Sequence, residues 1–336
     1  MSLFSWVRIG VASLVQIVAI LVASTACAAD NKVETVITGL RHPCGIAVRP
    51  NGTADKYELF IAESAAGCVI RWSNHDRNKT ADAITGFAAT SGRNAGQQTG
   101  PQALLFLDPG LIAVGSATKS GDPLRIYELP EDGKAISADQ SNADGRGESR
   151  RTRQTDEQAT CTSLTRIRAN DTVQDAIVMF VRGFDGGSSL VRSRVQAGVI
   201  GPPQPFGTMV LSRNAESSEA VATSNSGRIV VAGEHRIMFL NPLNGTVELE
   251  LETDLAAVSG LVYSPITGNL YAADFSSGIY RIEDSSEPGK PACRTVKIAE
   301  LSRPSGLAFA PDGALYVTAL GAGDSDGTLE VVTGDL

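Results

Sequence analysis

Positive charge and histidine are both scarce in this sequence. Its 29 Lys and Arg residues are outnumbered by 37 Asp and Glu residues, which gives a formal net charge of -8 at pH 7. A chain of this charge has no positive field that would hold nucleic acid or an anionic membrane surface, so neither is expected as a partner. The three histidines (His42, His75 and His235) have no paired metal-ligand spacing, and the sequence therefore offers no basis for zinc chemistry.

Helical periodicity is also missing beyond the N-terminal segment. Amphipathic helices would show an apolar residue every three or four positions, but this chain has short apolar runs separated by turn residues, and it contains 34 glycines. Parallel α/β sheets need helices between their strands, so the pattern argues against them and favours antiparallel β-structure.

Long apolar runs are confined to the N-terminus. Residues 1–29 contain Arg8, an apolar run over residues 9–22, and the small residues Ala26-Cys27-Ala28. This arrangement predicts a cleaved secretory signal peptide and an exported protein, periplasmic or extracellular, whose mature part is residues 30–336. Two alternatives are a retained membrane anchor, for which the run is short, and lipid attachment at Cys27, for which Ser24 is an unusual neighbour.

Cysteine is infrequent, with five residues in the chain. Export would place Cys44, Cys68, Cys161 and Cys293 in an oxidising compartment, where four thiols allow three pairings. The sequence does not choose among them. A Cys44–Cys68 disulfide is favoured because the two residues fall in one repeat, and the alternative is that all four are small buried residues.

One short phrase recurs along the chain. Residues 304–317 read PSGLAFAPDGALYV, an apolar strand, a Pro-Asp-Gly turn and a second strand, which is typical of a β-hairpin. Residues 259–274 and 44–63 repeat it, a further clear copy begins near Ala220, and weaker copies begin near Ala103 and Ser163. Six copies at this spacing predict an all-β fold, a six-bladed β-propeller of four-stranded antiparallel blades.

Two further segments complete the predicted propeller. Residues 32–37 resemble the outermost strand of a blade but precede the first copy, so we expect them to close the ring by pairing with the last blade beside residues 328–332. Residues 138–158 are polar, without hydrophobic periodicity, and predict a surface insertion in a single domain spanning residues 30–336.

The repeated phrase, with Gly-Leu-Ala before a Pro-x-Gly turn and Leu-Tyr-Val after it, resembles that of the NHL, TolB-like and SMP-30/gluconolactonase group of six-bladed propellers. The resemblance implies one of several functions: a ligand-binding scaffold, a calcium-dependent lactonase or a quinoprotein sugar dehydrogenase. In the lactonase-like members, carboxylate or Asn side chains at the starts of the innermost strands hold one divalent cation. Fold resemblance alone does not choose among these functions.

The resemblance places the candidate site at the starts of the innermost strands. The residues at these positions are Cys44, Gln102, Thr162, Glu219, Ser259 and Ser305, with His42 just before the first of them. Glu219 is the single carboxylate, so it is the one metal-ligand candidate and the cation-binding pattern of the family is largely absent. The ends of the second strands are expected to form a polar rim around the same opening; these residues are Glu63, Ser116, Arg182, Glu234 and Asp274.

These residues favour a monomeric, non-catalytic scaffold that binds a small molecule, glycan or protein in its funnel. The alternative is an SMP-30-like hydrolase of lactones or esters that uses Ca²⁺ or another divalent cation. A quinone-dependent sugar dehydrogenase is a third class; it needs a histidine base and a cationic cradle, for which His42 and Arg182 are the candidates. No cofactor is assigned from the sequence.

Overall fold

Almost all of the described chain is β-structure. The structure, a computed structural model, describes residues 31–50, 52–89, 100–118, 123–141, 159–170, 172–183, 187–196, 199–211, 220–233, 235–287, 290–323 and 325–336. The predicted signal peptide lies outside these ranges. Within them, no helix is long and apolar enough to cross a bilayer.

The described strands lie in four hydrogen-bonded sheets, two of which span neighbouring groups of strands. We divide them in chain order into six antiparallel groups, which we call blades 1 to 6. After β1 (Lys32–Leu40), blade 1 contains β2 (Pro43–Val48), β3 (Glu58–Glu63), β4 (Cys68–Ser73) and β5 (Asp76–Thr85). Blade 2 contains β6 (Gly100–Asp108), β7 (Leu111–Thr118) and β8 (Leu124–Glu128), and the short β9 (Ile136–Ser137) follows it. Blade 3 contains β10 (Ala159–Ile167), β11 (Ala176–Gly183), β12 (Ser188–Gln196), β13 (Val199–Ile200) and β14 (Gln204–Leu211).

The second half of the chain is more regular. Blade 4 contains β15 (Ala220–Thr223), β16 (Ile229–Gly233), β17 (Arg236–Leu240) and β18 (Val247–Glu252). Blade 5 contains β19 (Val258–Tyr263), β20 (Leu270–Asp274), β21 (Gly278–Glu287) and β22 (Lys290–Ala299). Blade 6 contains β23 (Pro304–Phe309), β24 (Leu315–Ala319) and β25 (Gly327–Thr333), and β1 is its fourth strand.

The first strands of the blades form a closed ring. Each of β2, β6, β10, β15, β19 and β23 contacts the next, and β23 contacts β2. The chain is therefore a β-propeller, as the repeats predict. β1 pairs antiparallel with β25 from Lys32 opposite Thr333 to Leu40 opposite Gly327, which confirms the predicted closure and makes the closing strand longer than the predicted residues 32–37.

The core lies between neighbouring blades, because both faces of each blade are covered. Between blades 6 and 1 the rings of Trp72 and Tyr316 lie 5.7 Å apart. The Tyr57 hydroxyl is 2.8 Å from the Tyr316 hydroxyl and donates to Asp312 Oδ2 at 2.8 Å. The large buried aromatic surface and this hydrogen-bonded pair hold the closing blade against the first one.

Blade 2 departs from the regular pattern in its outer part. After β8 the chain crosses to blade 1, where β9 pairs in parallel with β5. The following 3₁₀ turn begins at a capping box formed by Ser137 and Gln140, and the buried Ala138 accepts a hydrogen bond from Tyr127 Oη at 3.0 Å through its carbonyl. The first residues of the predicted insertion at residues 138–158 thus form a short turn against blade 2, and residues 142–158 lie outside the described chain.

Candidate functional site

A β-bulge marks the candidate position in each of the five blades in which that position is described. The pairing of first with second strand shifts between Pro43 and Ile46, Pro101 and Ala103, Cys161 and Ser163, Val258 and Gly260, and Pro304 and Gly306. The residues at these shifts, which we call the axial residues, are Cys44, Gln102, Thr162, Ser259 and Ser305. A bulge re-aims its side chain, so these five positions are structurally equivalent; Glu219 lies outside the described residues. We call this end of the ring the mouth.

In blades 5 and 6 the axial side chain is bonded to the backbone of the next blade. Ser259 Oγ donates to the Pro304 carbonyl oxygen at 2.6 Å, and Ser305 Oγ donates to the Pro43 carbonyl oxygen at 2.7 Å. Each hydroxyl has a single hydrogen, which is used in these bonds. Ser259 and Ser305 therefore connect adjacent blades, and their predicted place among ligand-binding groups is not supported.

The side chain of the axial residue in blade 1 also has hydrogen-bond partners within the protein. The thiol of Cys44 lies 3.5 Å from the His42 carbonyl oxygen and 3.6 Å from Ser64 Oγ. Burial raises the pKa of Cys44 to about 11, against the smaller lowering by the Ser64 hydrogen bond, so the thiol is protonated at neutral pH and is not an activated nucleophile. His42 itself has φ 52°, and its carbonyl also accepts from Ser64 N at 3.1 Å.

The predicted disulfide between Cys44 and Cys68 is not formed, because both are free cysteines. Cys44 is on β2 and Cys68 is on β4, and these strands flank β3. Two strand spacings amount to about 10 Å, whereas bridged Cα atoms lie within about 7 Å. The Cys68 thiol instead points to Glu63 Oε2, at 3.7 Å.

Two predicted rim carboxylates are buried and hold the loops that enter their blades. Glu63 is 8% exposed, and its Oε1 accepts from Arg41 N at 2.6 Å. Asp274 is 1% exposed, and its Oδ2 accepts from Ala256 N at 2.8 Å and from Ala257 N at 3.1 Å. These carboxylates accept hydrogen bonds from the backbone of the entering loops, whereas the sequence predicts that they form a polar rim around the opening.

Hydrogen bonds keep Asp274 ionised. Burial is the largest single influence and raises the pKa of its carboxyl group, but hydrogen bonds from Ser276, Ala257 and Ser277 together hold that pKa below its ordinary value. Ser277 Oγ donates to Oδ1 at 2.9 Å and Ser276 N does so at 2.9 Å. The carboxylate therefore holds two segments at the mouth: the loop that enters blade 5 at residues 256–257 and the turn at residues 276–277.

Blades 2 and 3 differ from this pattern at the same end of the ring. Gln102 Nε2, Ser116 Oγ and Thr162 Oγ1 are shielded from water and have no hydrogen-bond partner in the part of the chain that the structure describes. Ser116 is 2% exposed. Each such group costs about 1–3 kcal/mol if it stays unbonded, so these three atoms are candidate groups for binding a ligand.

Strand pairing brings these three residues together. Pro101, which precedes Gln102, is opposite Ser116 on β7. The first residues of β10 also pair with the end of β7, through Thr160 opposite Ala117, so Thr162 lies beside the same strand end. We call Gln102, Ser116 and Thr162 the polar cluster.

A sequence signal separates the two kinds of blade. The residue after the axial position is Gly45, Gly260 or Gly306 in blades 1, 5 and 6 and Ala103, Ser163 or Ala220 in the other three. A Cβ at Gly306 would lie 2.3 Å from the Cys44 carbonyl oxygen, so glycine permits the close approach of β23 and β2. In the blades where another residue stands at this position, the axial side chain is larger. In blades 2 and 3 it also has a buried atom, Gln102 Nε2 or Thr162 Oγ1, with no hydrogen-bond partner among the described residues.

The pairing register of the first and second strands places Arg182 outside the rim position for which it is the candidate. Val258 is opposite Asp274 and Pro43 is opposite Glu63, whereas the equivalent Cys161 is opposite Val181. Arg182 therefore lies one residue beyond the rim position. Glu234, the rim candidate of blade 4, lies outside the described residues.

The described axial residues do not fit a divalent cation. A hard cation needs several oxygen ligands that converge, but the axial set supplies a thiol, two hydroxyls engaged with backbone, one amide and one further hydroxyl. Within the described ranges, no group of three His, Cys, Asp or Glu side chains could hold a metal ion. The predicted metal site thus rests on Glu219 alone.

Comparison with known proteins defines the fold. No family model matches the sequence, and no curated protein matches it. Among solved structures, a glucose dehydrogenase aligns over 90% of this chain and 100% of its own, with TM-score 0.58 and 16% identity. A luciferin-regenerating enzyme aligns over 90% of this chain and 95% of its own, with TM-score 0.55 and 15% identity.

A gluconolactonase from Xanthomonas campestris aligns over 91% of this chain and 90% of its own, with TM-score 0.56 and 12% identity. At these identities the likeness concerns the fold. The chain is a β-propeller of the kind found in the gluconolactonases and glucose dehydrogenases, which confirms the resemblance drawn from its repeats.

Proposed function

We propose that the mouth of the propeller binds a small, neutral, polyhydroxylated molecule of the sugar or sugar-lactone class. The observation that carries this proposal is the buried polar cluster, whose three polar atoms have no partner among the described residues. An amide and two hydroxyls both donate and accept hydrogen bonds, as sugar hydroxyls do. None of the three side chains is charged, so a neutral ligand satisfies them without burying an unpaired charge.

Hydrolysis of a sugar lactone at this mouth is the second candidate function. It is favoured by the structural neighbours, which include a glucose dehydrogenase and a gluconolactonase. These two enzymes support the enzymatic alternative better than a non-catalytic scaffold, and both support a sugar-derived ligand. Glu219 is the remaining candidate ligand for a divalent cation in such an enzyme.

Binding is tested by isothermal titration of the mature protein with D-glucose and with D-gluconic acid δ-lactone. We expect Thr162→Val and Gln102→Leu each to weaken binding about tenfold, the loss of roughly one buried hydrogen bond. Ser259→Ala is the matched control, because it removes an axial hydroxyl that bonds backbone instead. Equal affinity in all variants, or no binding of either compound, would contradict the proposal.

Turnover is tested by following lactone hydrolysis with and without Ca²⁺, in the wild type and in Glu219→Gln. A metal-dependent hydrolase loses activity in both comparisons. Ligand binding without turnover would leave the scaffold function, and turnover that is indifferent to Ca²⁺ and to Glu219→Gln would exclude the metal-dependent mechanism.

A further inference from the structure

A small cavity lies between blades 1 and 2, at the end of the ring opposite the mouth. Its volume is about 10 Å³, which is room for one water-sized species. The described residues that line it are Arg49, Phe60, Arg71, Ala83, Leu129, Pro130, Gly133 and Lys134. Three of these side chains are cationic and the others are apolar or absent. Among them the cavity therefore has hydrogen-bond donors but no side-chain acceptor.

Two arginines of this wall share a single carboxylate. Arg49 Nη1 donates to Glu58 Oε2 at 2.8 Å, and Arg71 Nε lies 3.6 Å from Glu58 Oε1. The two arginine side chains are 23% and 24% exposed, so water solvates their charge only in part. Lys134 is paired separately with Asp132, at 2.6 Å. Two guanidinium charges against one carboxylate charge leave an excess of positive charge beside the cavity.

Backbone contacts hold both guanidinium groups in place without using all of their donors. Arg49 Nε donates to the Pro109 carbonyl oxygen at 2.6 Å, in the turn between β6 and β7. Arg71 Nη2 donates to the Gly133 carbonyl oxygen at 3.1 Å, in the segment between β8 and β9. Arg49 Nη2 and Arg71 Nη1 have no hydrogen-bond partner within the described ranges. Each arginine therefore connects blade 1 to blade 2 and keeps one amino group that is not hydrogen bonded.

We propose that this cavity, which we call the anion site, binds one monatomic anion, chloride, between Arg49 and Arg71. An anion offsets the excess positive charge, and a guanidinium group is weakly hydrated, so it pairs readily with a weakly hydrated ion. A water molecule would need acceptors for its own hydrogens, which the lining side chains do not supply, whereas chloride has no hydrogens. The anion site is separate from the mouth, so it goes beyond the proposed function and does not depend on it.

The anion site lies where blade 2 is incomplete. The described part of blade 2 has three strands, and the chain after β8 crosses to blade 1 as β9. Gly133 is in this crossing segment and is held by Arg71, which is on β4 of blade 1. An ion between Arg71 and Arg49 therefore stabilises the junction of the two blades at the place where a fourth strand of blade 2 is missing.

The test measures the melting temperature of the protein in sodium chloride and in sodium fluoride at equal ionic strength. Fluoride is strongly hydrated and excluded from protein surfaces, so a general salt effect stabilises the protein more in fluoride than in chloride. Binding of chloride to the folded protein should reverse this order by mass action. We expect a melting temperature about 2–4 °C higher in chloride than in fluoride, with an effect that saturates as chloride is added.

Three variants separate the anion site from a general effect of charge. Arg71→Met should abolish the difference between the two salts, because it removes one of the two cations. Glu58→Gln should enlarge it, because the arginines then have no carboxylate to share. Arg166→Met is the matched control, since Arg166 in blade 3 is 21% exposed but its charge is balanced by Asp175 Oδ2 at 2.6 Å. This control should lower the melting temperature in both salts and keep the difference between them.

Diffraction from crystals grown in sodium bromide locates the ion directly. We expect an anomalous bromide peak in contact with Arg49 and Arg71. A melting temperature in chloride that is equal to or below that in fluoride would overturn the anion site, and so would a difference that persists in Arg71→Met or a cavity that holds only water. Glu58→Gln and the bromide crystals decide the matter if Arg71→Met does not fold.

Discussion

Blades 5 and 6 bond their axial residues to the backbone of the next blade, and blade 1 bonds its axial thiol within the blade. In blades 2 and 3, by contrast, buried atoms of the axial residues have no partner among the described residues. On the first side, Ser259 and Ser305 each donate to the backbone of the next blade, and Asp274 clamps the loop that enters blade 5. On the second side, Gln102 and Thr162 are equally placed but have buried atoms that find no partner within the described residues.

The difference shows how one repeated position can serve two purposes. A repeat protein needs side chains that fasten each unit to the next, and a binding site needs polar groups that are not already bonded. Here the bonding of the axial side chain correlates with the residue that follows it. That residue is glycine in blades 1, 5 and 6, and alanine or serine in blades 2 and 3. Unbonded polar groups cost stability, and such groups concentrate at functional sites.

The largest effect is expected on the fastened side, where the ring closes. Deleting residues 32–40 removes a strand of nine residues from the edge of blade 6. A domain is stable by only about 5–15 kcal/mol, so we expect the deletion to leave little folded protein at 25 °C by circular dichroism. Glu34→Ala, a change of a half-exposed residue in the same strand, should leave the melting temperature nearly unchanged. An unaltered melting curve for the deletion would contradict ring closure by β1.

A pair of glycines measures how closely the fastened blades approach. A Cβ at Gly306 would lie 2.3 Å from the Cys44 carbonyl oxygen, whereas one at Gly260 would lie 3.5 Å from its nearest neighbours on Leu307. We expect Gly306→Ala to lower the free energy of unfolding by about 3 kcal/mol and Gly260→Ala to change it by less than about 1 kcal/mol. Urea unfolding measures both changes in the free energy of unfolding. Equal changes for the two variants would mean that β23 and β2 can move apart without cost.

The clamp in blade 5 predicts a dependence on pH. The pKa of Asp274 is lowered in the folded protein, so its stabilising effect is complete above the unfolded pKa of about 3.9 and is lost as the pH falls through the folded value. Asp274→Asn should therefore lower the free energy of unfolding by about 1–3 kcal/mol at pH 7, and the difference from wild type should shrink below about pH 4. A difference that stays constant down to pH 3 would show that ionisation of Asp274 is not what matters.

The sequence predicts the architecture well because the repeated phrase carries two kinds of information. Its alternating apolar residues specify strands, and its Pro-x-Gly turn specifies how the strands connect. The closing strand was predictable because residues 32–37 look like an outer strand that has no preceding blade. The outer part of blade 2 was less predictable, because β9 crosses to blade 1 and pairs in parallel with β5. No local sequence pattern indicates such a pairing.

The candidate site was predictable in position but not in role. The axial residues are recognisable from the repeats, yet the sequence does not show that Ser305 bonds a carbonyl while Thr162 Oγ1 finds no partner among the described residues. That outcome depends on how near the next blade lies, which the apolar pattern does not specify. The sequence places Arg182 one residue too far because the apolar run of β11 continues through Val181, the residue opposite Cys161. In blades 1 and 5 the apolar run ends one residue earlier, so the first polar residue after it is the rim residue.

The most direct test measures both stability and glucose binding for two equivalent axial substitutions, Ser305→Ala and Thr162→Val. Ser305→Ala should lose about 1–3 kcal/mol in urea unfolding, because the Pro43 carbonyl loses its partner, and it should bind glucose like the wild type. Thr162→Val should keep the wild-type free energy of unfolding or exceed it and bind glucose about tenfold more weakly. A loss of stability in Thr162→Val equal to that in Ser305→Ala, with unchanged binding, would show that both sides of the ring serve only to hold it together.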